Sequence, residues 1–150
     1  MPDPGKPSKA HLLASPDDVE TQFYDALREA DLDRLMAVWS DDDDIVCVHP
    51  NGLRVVGVRA IRASFEAIFA NGGVPLQADN VKRVHTLGAA MHNLVETVAV
   101  LSADGMQRTS VVATNVYLKT ALGWRLVAHH ASPGDGRDLG TADDAQSTLH

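Results

Sequence analysis

The feature that constrains this 150-residue chain most is a change of period at Pro75. Upstream of it, apolar residues recur every three or four positions. Val19, Phe23, Leu27 and Ala30 form one set, Leu32, Leu35, Met36 and Trp39 a second, and Ile61, Phe65, Ile68 and Phe69 a third. That spacing predicts three helices, each burying one face. Downstream, residues 77–87, 91–101, 108–119 and 124–131 are rich in Val, Thr and Leu, and turn sequences such as Ser102-Ala103-Asp104-Gly105 and Ala121-Leu122-Gly123 separate them. This is the grammar of a meander of long antiparallel strands. With residues 45–49 and 54–56 as a small earlier hairpin, the order reads ααββαββββ. Helices grouped mostly before an antiparallel sheet define an α+β fold, with the helices on one concave face.

Local signals agree with this partition. Ser15-Pro16-Asp17-Asp18 offers a capping hydroxyl, a proline suited to a first turn and acids at the positive end of a helix dipole. Asp31 is placed to cap the second helix, and Asn71-Gly72-Gly73 stops the third. Residues 1–14 and 133–150 are rich in Pro, Gly, polar and charged residues without periodicity, which predicts flexible tails around a single folded unit spanning 15–132.

Charge and composition remove several classes of function. A formal net charge of -7 disfavours nucleic acid and anionic membrane surfaces, because phosphate binding needs clustered Lys and Arg. No apolar run approaches the roughly 20 residues of a membrane span. No long apolar stretch follows the N-terminal lysines, so a signal peptide is not expected and a cytoplasmic setting is the default. One cysteine, Cys47, excludes an intrachain disulfide.

The densest motif is Ser40-Asp41-Asp42-Asp43-Asp44-Ile45-Val46-Cys47-Val48-His49-Pro50-Asn51-Gly52. Consecutive aspartates cannot all face one ion, and they lack the alternating ligands and central glycine of a calcium loop. They read as a solvated turn between helix and strand. This stretch, continued through residue 69, and the segment ATNVYLKTALGWRLVAHHASP resemble the nuclear transport factor 2-like superfamily, in its SnoaL-like and ketosteroid-isomerase-like branch. The resemblance spans nearly everything between Ser15 and Pro133. It implies a cone-shaped curved sheet closed by three helices, a mostly apolar pocket, and a homodimer formed through the outer face of the sheet.

The resemblance also implies site positions. The general-base position, just before the turn proline, falls on His49, which can exchange protons near neutrality. The aspartic acid of the family's oxyanion hole falls on Asn115, which can donate a hydrogen bond at any pH. The tyrosine positions fall on Phe23 and Phe65, which cannot, so efficient steroid isomerisation is not expected. Strand alternation places Tyr117 beside Asn115. In the last strand Trp124, Leu126, Ala128 and His130 form the more apolar face, which points His130 inward and His129 outward; a slip of one residue would reverse this. Phe23, Trp39, Phe65 and Tyr117 are therefore expected to line a ligand site, with His49, Asn115 and His130 as its chemical groups.

The histidines show no metal-ligand spacing, no glycine loop follows a strand and opens a helix, and no nucleophile elbow is present. The function expected is binding of a small, largely apolar organic molecule. As an enzyme, the protein would act by proton transfer next to a carbonyl in an isomerisation, cyclisation or dehydration that needs no cofactor or metal. The alternative is a non-catalytic association module similar to that of calcium/calmodulin-dependent protein kinase.

Overall fold

A computed structural model describes residues 13–138. The order of elements is α1 (Pro16–Glu29), α2 (Leu32–Ala37), β1 (Val46–Val48), β2 (Arg54–Val56), α3 (Val58–Phe69), β3 (Leu76–His85), β4 (Ala89–Ser102), β5 (Gly105–Thr120) and β6 (Gly123–Pro133). The ααββαββββ order expected from the sequence is the observed one. Most of the expected tails, residues 1–12 and 139–150, lie outside the described residues. Leu13 belongs to the packed body: it is buried, and its carbonyl accepts from the Trp124 N–H at 3.0 Å.

The caps form as their chemistry dictates. The Asp18 N–H donates to Ser15 Oγ at 3.1 Å, with Pro16 as first helical residue. The Arg34 N–H donates to Asp31 Oδ1 at 3.1 Å and opens α2. Asp41, Asp42, Asp43 and Asp44 are exposed, and the Asp44 N–H folds back onto Asp42 Oδ1.

The strands form one open, curved sheet of six in the order β2-β1-β6-β5-β4-β3. It is antiparallel except at one seam: β1 runs parallel to β6, with Cys47 opposite His129. β1 and β6 are joined by most of the chain, so no hairpin dictates their direction. Two irregularities bend the sheet. One lies in β3 between Asp79 and Lys82, where Asn80 has φ +53°, and the other in the β5–β6 pairing at Val116 and Tyr117. Bulges of this kind increase twist and curve a strand.

The helices fill the concave side. Val19, Phe23 and Leu27 of α1, Leu35 of α2, and Ile61 and Phe65 of α3 meet Leu94, Ala113 and Leu126 of the sheet in one core. Full burial of such a side chain stabilises by about 1.5–3 kcal/mol relative to exposure. The link from α3 to β3 is pinned to the end of α1, where the Val74 N–H donates to the Leu27 carbonyl at 2.9 Å. A Cβ at Gly73 would sit 1.9 Å from the Arg28 carbonyl oxygen, whereas one at Gly88 would meet nothing within 4 Å. Gly73→Ala is therefore expected to lower stability by about 1–3 kcal/mol, as overpacking does, and Gly88→Ala to leave it within about 0.5 kcal/mol. Urea denaturation of the two variants checks this; equal midpoints would refute the close approach.

Candidate active site

Helix α1 turns Glu20, Phe23, Tyr24 and Leu27 inward, positions three and four apart that share one face. Opposite them, strand pairing sets His92 of β4, Asn115 of β5 and His129 of β6 in one row across the sheet. Glu96 lies four residues along β4 from His92 and on the same face. These polar side chains sit in an apolar interior and are all buried. Burial at such positions demands hydrogen-bond partners.

One chain of hydrogen bonds meets that demand. Tyr24 Oη donates to Glu96 Oε2 at 2.7 Å, Asn115 Nδ2 donates to Tyr24 Oη at 3.1 Å, and His129 Nδ1 lies 2.5 Å from Asn115 Oδ1. An amide oxygen only accepts, so the proton is on His129 Nδ1 and its Nε2 is bare. That Nε2 stands 4.0 Å from Glu96 Oε2. Every donor in the chain points, directly or in relay, towards the Glu96 carboxyl.

Burial sets the protonation states. It holds His129 down to about 3, with the charges of His49 and His130 acting in the same sense, so the ring is neutral and gives Glu96 no cation. Burial also lifts the Glu96 carboxyl to about 7, against the opposing pull of the Tyr24 hydrogen bond. The Tyr24 hydroxyl is raised well above the ordinary tyrosine value, by burial first and the Glu96 charge second. Cys47 is pushed up to about 12 by burial and stays a thiol.

A second chain lies beside the first. Tyr117 Oη donates to Glu20 Oε1 at 3.2 Å, and His92 Nδ1 meets the same oxygen at 3.0 Å. The His92 and Tyr117 rings pack at 4.9 Å between centroids. Burial, then the Glu20 charge, raises the Tyr117 hydroxyl.

Aromatic rings connect this interior to the surface. Phe23 touches Tyr24, Trp39, Phe65 and His129, with ring centroids 5.0, 6.4, 6.1 and 5.2 Å away. Phe65 in turn meets His49 at 5.1 Å. His49 follows β1, fixed by a turn in which its N–H donates to the Leu53 carbonyl at 2.9 Å and the Gly52 N–H donates to the His49 carbonyl at 2.8 Å, with Gly52 at φ +91°. The hydroxyl of Ser64 donates to the Ile61 carbonyl at 2.8 Å and so accepts from His49 Nε2 at 3.0 Å. Burial lowers the His49 pKa. Outside it, His49, Pro50, Leu53, Ser64, Ala67 and Ile68 border an open hollow of about 440 Å3. Trp39 is buried, and its indole N–H has no partner among the described residues.

The residues expected from the sequence thus divide. Asn115, Tyr117 and Phe23 do face the interior together, with Trp39 and Phe65 packed around Phe23. His49 packs against Phe65 and borders the hollow, and it bonds Ser64 rather than Asn115. His130 is corrected: it is exposed, and His129 takes the inward place. Trp124 and Leu126 do point inward, but the bulge opposite Val116 and Tyr117 inserts one residue and reverses the parity beyond it. Beside Phe23, Tyr24 places a hydroxyl in the same interior. Glu20, Tyr24, His92 and Glu96 were not anticipated, and His129 was the alternative that a slip of one residue would select. For His92 and Glu96 a signal existed: counting back from the tight Ser102–Gly105 turn places His92 opposite Asn115 and Glu96 opposite Val111.

An open curved sheet wrapped around helices, with polar groups at the bottom of an apolar interior, defines the nuclear transport factor 2-like class of α+β protein. The SnoaL-like domain profile matches residues 17–136, and the chain belongs to that family. A protein from Thiobacillus denitrificans, provisionally assigned as a calcium/calmodulin-dependent protein kinase type II association domain, is 33% identical over 83% of this chain and 98% of its own, with a TM-score of 0.74. A provisionally assigned dehydratase of the NTF2-like family from Streptomyces avermitilis is 27% identical over 77% of this chain and 92% of its own, at TM-score 0.68. The CaMKII hub of S. rosetta shares the fold at 22% identity and TM-score 0.62, covering 88% of this chain and 100% of its own. No functionally curated protein is significantly similar to the chain.

The Glu96 carboxyl supplies a direct test of the interior. It keeps its proton to about pH 7 in the folded protein but only to about 4.5 as an ordinary carboxyl. A raised folded pKa contributes stability that is complete below the unfolded value and is lost as pH rises through the folded one. At about 1.4 kcal/mol per pH unit, the loss comes to about 3 kcal/mol. Glu96→Gln cannot ionise. Urea denaturation at about pH 4.5 and about pH 8 should show the wild type losing about 3 kcal/mol relative to the variant on going to the higher pH. A difference that does not change with pH refutes the buried, proton-holding carboxyl.

Proposed function

We propose that the protein binds a small, largely apolar organic molecule bearing a carbonyl, and that it moves a proton on the carbon next to that carbonyl. The observation that carries this reading is the hydrogen-bond chain ending on Glu96, a carboxyl balanced near neutrality inside an aromatic shell. A general base works best when its pKa lies near the working pH, and carboxyls held there by burial concentrate at functional sites.

In this mechanism the ionised Glu96 takes the proton from carbon. Protonation makes Glu96 a weaker acceptor for the Tyr24 hydroxyl, which turns to the developing oxyanion together with Asn115 Nδ2. His129 stays neutral and holds Asn115 in place through its Nδ1–H, and Glu96 itself returns the proton, serving first as base and then as acid. Trp39 offers its unpartnered N–H to an acceptor on the ligand, and its partnerless state disfavours packing as its only role. The hollow beside His49 is the way in, and rotation of Phe65 joins it to Phe23 and His129. Isomerisation, aldol-type cyclisation and dehydration all fit this chemistry, and the protein's own side chains suffice for each. The protomers pair through the outer face of the sheet.

A screen of small ketones, hydroxylated aromatics, polyketide-like acids and steroids by thermal shift, followed by hydrogen–deuterium exchange of each hit in D2O, tests the proposal. A hit should raise the wild-type midpoint by mass action, and wild type should accelerate exchange next to the carbonyl. Glu96→Gln should retain the midpoint shift while losing at least about a hundred-fold in exchange rate. No shift in any class, with His49→Leu as stable as wild type, overturns the reading.

A second reading rests on a separate observation, the 33% identity to a provisionally assigned association domain, which the alignment covers almost completely. On that reading the protein is a non-catalytic assembly module. Native mass spectrometry separates the two: ring-sized assemblies favour the module, and a dimer favours the pocket.

A further inference from the structure

We propose that His85 and His92, backed by Glu20 and Asp17, form a binding site for a divalent transition-metal ion of the zinc, nickel or copper type. The site lies at the rim of the sheet. It uses the second hydrogen-bond chain and none of the groups assigned to proton transfer.

The two imidazoles come from neighbouring strands, His85 near the end of β3 and His92 near the start of β4, diagonal to one another because His92 pairs with Arg83. Their rings are stacked at 11° and their Nε2 atoms are 2.9 Å apart. Two nitrogens sharing a tetrahedral ion at the usual Zn–N length of about 2.0–2.1 Å stand roughly 3.3 Å apart. The observed separation needs only a few tenths of an ångström of opening. Imidazole nitrogen suits zinc, copper and nickel and does not suit calcium or magnesium.

The surroundings of His92 strengthen the assignment. Glu20 Oε1 lies 3.0 Å from His92 Nδ1, so that nitrogen carries a proton for the carboxylate and Nε2 presents its lone pair to His85. A histidine whose other nitrogen donates to a carboxylate is the ordinary outer-shell arrangement of zinc sites, and it fixes the ring and raises its basicity. His92 has no exposed surface and is clamped against Tyr117, so its orientation is set before any ion arrives, whereas His85 is exposed and provides access. Asp17 Oδ1 lies 4.0 Å from His92 Nδ1, so both carboxylates stand behind the ring, on the side away from His85. Asp17 is exposed and is now paired with Arg83 Nε at 2.9 Å, an exchangeable surface contact. It adds negative charge behind His92, and water completes the ligand set on the exposed side.

The test is calorimetric titration of the full chain with ZnCl2, and separately with CuSO4, in wild type, His85→Ala, His130→Ala and Asp17→Asn. Wild type and His130→Ala are expected to bind one ion per chain with equal affinity. His85→Ala is expected to weaken binding at least about tenfold, and Asp17→Asn to weaken it less. NMR of the imidazole nitrogens in wild type gives an independent readout, because zinc should shift Nε2 of both His85 and His92 and leave His129 unmoved. Absence of stoichiometric binding, affinity unchanged in His85→Ala, or unshifted His85 and His92 nitrogens would overturn the proposal and leave a hydrogen-bonded histidine pair. The nitrogen shifts decide the matter even if a variant folds poorly.

Discussion

The interior depends on how helix α1 docks across the sheet. Apolar contact is non-directional, and a helix carrying Val19, Phe23 and Leu27 could bury that stripe at more than one rotation or depth. Two polar residues remove the freedom. Glu20 meets Tyr117 and His92, while Tyr24, one helical turn on, meets Glu96 and Asn115. A slip of the helix would orphan all of these groups at once, and each buried polar group left without a partner costs about 1–3 kcal/mol. The hydrogen bonds add little net stability where they are made, but they strongly penalise every other arrangement. The pinning of Val74 to the Leu27 carbonyl and the close approach of Gly73 to Arg28 fix the far end of the same helix.

The fold was legible because its signals are local. The 3.6-residue period, the caps at Ser15 and Asp31, and the change of grammar at Pro75 each report on a few neighbouring residues, and all of them agree. The inward face of β5, with Asn115 and Tyr117, was legible for the same reason: strict alternation runs through it without interruption. The inward face of β4 was harder, since Ala90, His92, Leu94 and Glu96 are no more apolar than Met91, Asn93, Val95 and Thr97. Hydrophobicity alone gives the wrong preference there. Only the register carried from the β4–β5 turn identifies the inward set, and that inference requires knowing which neighbour of β4 holds the reference residue.

The reversal at β6 has a different origin. A β-bulge leaves almost no mark in the sequence, because one extra residue in one strand changes no composition and creates no turn signal. Its effect is nonetheless complete, since every side chain beyond Val127 exchanges faces. The bulge brings His129 against Asn115, puts His130 out to solvent, and bends the sheet around the helices. A feature invisible to alternation therefore decides which of two adjacent histidines shares the interior with Glu96.

Glu96 is the residue hardest to explain by folding alone. Its hydrogen-bond partner Tyr24 could be held by a neutral amide, and a glutamine there would escape the ionisation that removes stability as the pH approaches 7. His129 is held neutral by its own burial and offers no compensating charge. Assembly alone does not call for a buried carboxyl whose ionisation costs stability. Proton transfer within the aromatic shell does call for one, because the group must be able both to take a proton and to give it back at the same pH. The proposed chemistry on a bound ligand rests on this destabilising carboxyl more than on the curved sheet or the likeness to association domains.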